Sequence, residues 1–209
     1  AEDILQKINN DKLPESQNNW FATVNADYLI HKGEYQKAIP FLETAIKSAP
    51  SKRQRIRLTF LLGQLYEKTQ DPARAYQTFG QVISMNPPYR TEFNARIKQT
   101  EVFSGKNIDK EVKKLTRMAS RDRNKEYLDQ IYYAIGNLYL SRKDTLKAME
   151  NYRLANQKST RNGIEKAICQ VTLGDLYFDR REYVDAQPCY AEALPQLKED
   201  FPRYDLLSR

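Results

Sequence analysis

The chain has 209 residues, 40 % hydrophobic and 29 % charged, with seven Gly and nine Pro, a balance that excludes a disordered or low-complexity protein and leaves little material for linkers. Two Cys and one His are too few for a disulfide framework or a four-ligand zinc site, and no apolar run nears the roughly 18 residues needed to span a bilayer. The net charge of +7 is concentrated, because residues 88–125 hold 11 basic against 5 acidic groups while the flanking stretches are close to balanced.

Taken in chain order, Ala1-Glu2-Asp3 is neither a Met start nor a basic-then-apolar leader, so the sequence reads as a processed form or a piece of a longer chain. Residues 3–9 read as the tail of a preceding helix. Apolar residues then recur at helical offsets and predict paired helices over 16–31 and 35–48, with Gly33 in the left-handed turn between them. A second pair is expected at 54–69 and 72–85, where Asp71-Pro72 supplies an N-cap followed by Pro in the first helical position. The third falls at 91–104 and 108–120 with Asn107 as cap, the fourth at 126–142 and 145–158 with Asp144, and the fifth at 164–180 and 183–197. Pro202 to Leu207 reads as the opening of a further first helix. Pro40 and Pro188 occupy one register, and each predicts a short first turn or a mild kink.

The pairs are copies of one another. Gly63 is followed by Tyr66, Ala75, Phe79, Val82 and Pro87; Gly136 by Tyr139, Ala148, Tyr152 and Ala155; Gly174 by Tyr177, Ala186, Tyr190 and Ala193. Ala26 opens a further copy with Leu29, Ala38, Leu42, Ala45 and Pro50. Thr100 opens a degenerate one with Phe103, Val112, Thr116 and Ala119. The small residue on each first helix is expected to face the Ala twelve residues later, with the aromatics filling the space between successive hairpins.

Gly-x-x-Tyr, Ala, aromatic, Ala and Pro in this order resemble the tetratricopeptide repeat (TPR) family over about residues 16–200. The resemblance implies an all-α, right-handed superhelical solenoid of about five helix-turn-helix hairpins, the third degenerate, forming a single array over 1–209 with hairpins near 16–50, 54–87, 91–122, 126–160 and 164–198. It also implies a protein-binding scaffold. The segments at 38–46, 86–97, 124–139 and 173–190 further resemble the repeat region of Bacteroidetes outer-membrane lipoproteins of the PorW/SprE type, associated with type IX secretion and gliding motility. That narrower resemblance implies the periplasmic side of the outer membrane, a lipid anchor outside this sequence, and a partner among the components of an envelope complex; a cytoplasmic setting is the alternative.

Enzymatic readings find no support. His31 at a helix end has no paired nucleophile, Asp175 and Asp179 are one turn apart on a single helix, and no phosphate loop, dinucleotide fingerprint or metal motif is present, so no catalytic, cofactor or metal residue is expected. Cys169 and Cys189 read as free thiols, with a bridge as the alternative. In a stacked array the first helices line a concave groove. This places Thr23, Asp27, Ile30, Phe60, Gln64, Glu67, Ile97, Glu101, Ser104, Tyr133, Asn137, Leu140, Val171, Asp175 and Phe178 along a site for a peptide or helix of a partner. The aromatics among them equally suit packing between hairpins. Relatives that clamp a chaperone's terminal carboxylate use inward Lys and Asn, where this chain offers Asp27 and Glu101. Lys110, Lys113, Lys114 and Arg117 form a basic face that suits nucleic acid, anionic lipid, an acidic protein or plain solvent; no interleaved aromatic platform accompanies it, which weighs against nucleic acid.

Overall fold

The computed structural model describes residues 14–160 and 163–207. The helix tail read at 3–9 lies outside them. Every regular element among the described residues is helical: α1 Glu15–His31, α2 Tyr35–Lys47, α3 Lys52–Lys68, α4 Pro72–Ser84, α5 Tyr89–Glu101, α6 Asp109–Ala119, α7 Leu128–Ser141, α8 Thr145–Lys158, α9 Ile164–Asp179, α10 Tyr183–Ala193 and the short α11 Tyr204–Leu207, with 3-10 turns at Asp122–Tyr127 and Leu194–Gln196. Consecutive helices pack as antiparallel hairpins, α1 with α2, α3 with α4, α7 with α8 and α9 with α10.

Four hairpin turns repeat one geometry. Gly33, Gln70, Lys143 and Arg181 stand at the same offset from their anchors and all have positive φ, +76°, 59°, 61° and 63°. In each turn the next residue's N–H reaches back to a carbonyl five residues earlier: Glu34 to Leu29, Asp71 to Tyr66, Asp144 to Tyr139 and Glu182 to Tyr177, at 2.8–3.1 Å. This closes the exposed carbonyls of the first helix. Asp71 and Asp144 then cap the second helices, accepting from the Arg74 and Lys147 N–H groups at 3.0 and 3.2 Å. Ser51 caps α3 in the same way, accepting from Gln54 N–H, which starts that helix earlier than its apolar pattern suggests.

The loop after α5 carries no such turn among its backbone hydrogen bonds. The chain divides there into two compact units, Ala1–Ser104 and Gly105–Arg209. In the first, α5 packs on α4, with Gln99 donating to the Tyr76 carbonyl at 3.1 Å and lying 3.0 Å from where a Cβ on Gly80 would sit. In the second, α6 packs on α7, and the buried Asn124 donates to the Met118 carbonyl at 2.6 Å, tying the 3-10 turn to the end of α6.

The closest packing in three hairpins is a glycine under an aromatic ring. A Cβ added at Gly63, Gly136 or Gly174 would stand 2.7, 2.5 or 2.7 Å from the ring of Phe79, Tyr152 or Tyr190. The ring sixteen residues on therefore sits on the glycine inside its own hairpin. The spacing did not single out this seat, and Tyr152 also joins a core cluster with Cys169, Leu173 and Tyr177 of the next hairpin. Ala75, Ala148 and Ala186 are also buried. In the first hairpin, where the anchor is Ala26, the equivalent of the ring is the smaller Leu42, and both are buried.

The register expected for 108–120 is also corrected. Val112 and Ala119 are half-buried and Thr116 is exposed, while Ile108, Glu111, Leu115 and Met118 form the buried face. The helix is turned by one residue because Glu111 can enter the interior with its charge met by Lys114, 2.8 Å away. Asn107 accepts from the Asp109 N–H at 2.9 Å, one position before the N-cap, which is Ile108. Both α2 and α10 run through Pro40 and Pro188 without a break. Each proline faces solvent, so the carbonyl it leaves without an N–H partner can be hydrated, and neither first turn is shortened.

Candidate functional site: the first-helix faces

In the first unit, the predicted groove residues lie on α1, α3 and α5. Asp27 is 72 % exposed, its carboxylate 3.6 Å from His31 Nδ1. Ile30 and Phe60 are half-buried against the main core, and the Phe60 ring meets Phe79 edge-on at 5.4 Å, so Phe60 contributes to packing. Ile97 is half-buried beside them in sequence register. Gln64 is half-buried without a hydrogen-bond partner among the described residues.

Glu101 and Glu67 share one cation, Lys98, whose Nζ lies 2.7 Å from Glu101 and 3.2 Å from Glu67. Burial opposes the charge on Lys98, but the hydrogen bonds and negative charge of the two glutamates outweigh it and raise the pKa. The i,i+3 pair with Glu101 was readable from sequence. The link to Glu67, thirty-one residues away, was not.

Between α1 and α3 lies an open cavity of about 700 Å³, lined by Thr23, Ser51, Arg53, Gln54, Arg57, Leu58 and Leu61. Only Thr23 among these belongs to the predicted groove. The available signal was the run Lys52-Arg53-Gln54-Arg55-Ile56-Arg57, four cations without an acid, which the more basic stretch at 88–125 overshadowed.

In the second unit, Tyr133 is half-buried with its ring 5.4 Å from Tyr152. Asn137 accepts the Tyr152 hydroxyl at 2.7 Å. Asp175 accepts the Tyr190 hydroxyl at 2.9 Å and pairs with Arg203 at 2.7 Å. Leu140 packs on the core, whereas Phe178 is 54 % exposed and touches Tyr183 edge-on at 5.2 Å. Val171, expected in the groove, is buried instead with Ala167, Ala193 and Leu197, and Phe201, Tyr204 and Leu207 of the C-terminal segment pack on that cluster. The helix opening read at Pro202 to Leu207 is present as α11, Tyr204–Leu207, and it packs on the last hairpin.

Lys110, Lys113 and Arg117 project from the exposed face of α6, while Lys114 holds Glu111. Cys169 and Cys189 are both free thiols. Cys169 is buried with its sulfur 3.6 Å from the Tyr152 carbonyl, and burial pushes its pKa up to about 12. Among the described residues no cluster of His, Cys, Asp and Glu could hold a metal ion, and no helix is long and apolar enough to cross a membrane.

The sequence model of the tetratricopeptide repeat family matches residues 26–52, 56–89 and 129–157, the stretches that contain three of the turns and two of the glycine seats described above. These stretches are tetratricopeptide repeats. Among solved structures, MamA residues 41 to the end from Desulfovibrio magneticus RS-1 is similar at 13 % identity, covering 88 % of this chain and 98 % of that one with a TM-score of 0.57. A further MamA crystal structure is 20 % identical, covering 82 % and 93 %, with a TM-score of 0.53. BtubC (BKLC) from P. vanneervenii is 16 % identical, covering 83 % and 77 %, with a TM-score of 0.57. At these identities the likeness is one of fold. No curated protein matches.

Proposed function

We propose that this chain is a non-catalytic scaffold that holds a peptide or helix of a partner protein on its first-helix faces. The observation that carries this reading is the open cavity between α1 and α3, lined by polar and apolar side chains, in a TPR architecture whose hairpin seams are closed by glycine-seated rings; the same two helices carry the solvent-facing Asp27 and the half-buried Gln64. Such a face offers apolar contact beside polar groups able to pair with a partner's backbone.

Photo-crosslinking amino acids at Asp27 and Gln64, compared with the second-helix positions Gln77 and Glu150, test it in cells. A discrete protein adduct is expected from the first pair and not from the second. Equal labelling from both, or adducts to nucleic acid alone, overturns it.

The setting we favour is a bacterial envelope secretion complex, at the periplasmic side of the outer membrane. It rests on the resemblance to the PorW/SprE-type lipoproteins. The test is the full-length gene, which should encode a signal peptide and a lipidation cysteine upstream of Ala1; a gene without them refutes this setting and leaves the scaffold reading intact.

A further inference from the structure

The cavity between α1 and α3 is asymmetric in charge. Arg53 and Arg57 stand one turn apart on α3 and both line it, with Ser51, Gln54 and Thr23 as polar neighbours and Leu58 and Leu61 as its apolar wall. Lys52 and Arg55 complete a run of four cations in six residues. Among the described residues none of the four has an ion-pair partner, although Lys and Arg residues elsewhere in both units do form ion pairs. The cavity wall is fixed: Gln54 donates to Asn19 Oδ1 at 2.9 Å, and Asn19 donates to the Ala45 carbonyl at 2.7 Å, tying the start of α3 to the first hairpin.

Three of the cations lie in or beside the first turn of α3, which has no acidic residue. Positive side chains are misplaced there, since the helix start is itself the positive end of the backbone dipole, and successive cations one turn apart repel. A negatively charged ligand removes both penalties. An apolar wall beside the two guanidinium groups selects further, because a bare polyanion gains nothing from Leu58 and Leu61, whereas a segment that alternates carboxylate and apolar side chains meets both.

We infer that the Arg53–Arg57 cavity receives an acidic segment of the partner protein, its Asp or Glu side chains pairing with the two arginines and an adjoining apolar side chain resting on Leu58 and Leu61. This rests on the scaffold reading and names the chemistry of its ligand. Neither Asp27 nor Glu101 is among the residues that line it.

The test uses the full chain and a fluorescein-labelled dodecapeptide of alternating Glu and Leu, measured by anisotropy beside a Gln-and-Leu counterpart and a single-stranded oligonucleotide. The Glu peptide should bind at least tenfold more tightly than the Gln peptide, and R53E/R57E should abolish that preference while K110E/K113E/R117E leaves it within twofold. Both arginines are exposed, and R53E places an acid at the helix start, so the melting temperature of R53E/R57E should be unchanged or higher, which separates lost binding from lost folding. Equal binding of the two peptides, loss only on reversal of the α6 face, or preferential binding of the oligonucleotide overturns the inference. If the crosslinking contrast holds while the Glu peptide shows no preference, the scaffold reading stands and this ligand chemistry falls; if the contrast fails, both fall.

Discussion

Gly136→Ala separates the packing account from simple helix propensity, because the two predict opposite signs. On propensity alone, replacing an interior helical glycine stabilises by about 1 kcal/mol. Here the new methyl would stand 2.5 Å from the Tyr152 ring, which is fully buried, lies 5.4 Å from Tyr133 and donates its hydroxyl to Asn137 at 2.7 Å. Forcing that ring aside carries an overpacking penalty of about 1–3 kcal/mol, and losing the hydroxyl contact adds about 1 kcal/mol. The net expectation is a destabilisation of about 1–3 kcal/mol, read from urea unfolding followed by circular dichroism. The first hairpin shows how a methyl is accommodated, with Ala26 opposite Leu42 in place of glycine opposite a ring. Gly136→Ala/Tyr152→Leu should therefore lose less stability than the sum of its single changes, by about 1 kcal/mol or more. A Gly136→Ala protein as stable as the parent, or strict additivity in the pair, refutes the seat.

Three further outcomes follow from the turns, the thiols and the C-terminal segment. Gln70→Gly and Lys143→Gly, at positive φ, should each stabilise by about 0.5–1 kcal/mol, while Gly33→Ala, where the added methyl meets nothing within 4 Å, should destabilise by a similar amount through backbone strain alone; thermal melts check both signs. Burial raises the Cys169 pKa to about 12 and raises those of Tyr152 and Tyr190, so the native state keeps protons that the unfolded chain releases. Stability should thus be full below about pH 9, the thiol's ordinary range, and fall as pH rises towards 12. Cys169→Ala should flatten the first part of that fall, and iodoacetamide at pH 8 should leave Cys169 unmodified in the folded protein. Asp175→Asn removes the charge that holds Arg203 at 2.7 Å and should speed proteolysis at the C-terminal segment without changing that of α1 to α4.

The repeat and the helix bounds were legible because periodicity, turn residues and caps act locally. Gly33 and Asp71 announce their roles by residue type, and the three Gly anchors mark where a ring must come close. Partner identities within a hairpin were less legible. The ring sixteen residues on and the alanine twelve residues on both lie on plausible faces, and only the crossing geometry decides that Phe79, Tyr152 and Tyr190 take the seat. The third pair was misread by one residue because a buried Glu111 looks like a surface position until Lys114 is seen beside it. For the residues expected along the groove, spacing did not reveal which side chains are already engaged within the chain. Asn137 and Asp175 are bound by tyrosines from the following helix, and Val171 lies under a segment about thirty residues on.

Side-chain footprinting by hydroxyl radicals, with and without the partner recovered by crosslinking, tests the central claim most directly. Protection confined to Leu61 and Phe60 on α3 and Ile30 on α1, with the α2 and α4 residues Tyr35 and Tyr76 unchanged, is the predicted result; protection on α2 and α4 with α1 and α3 unaffected would contradict it.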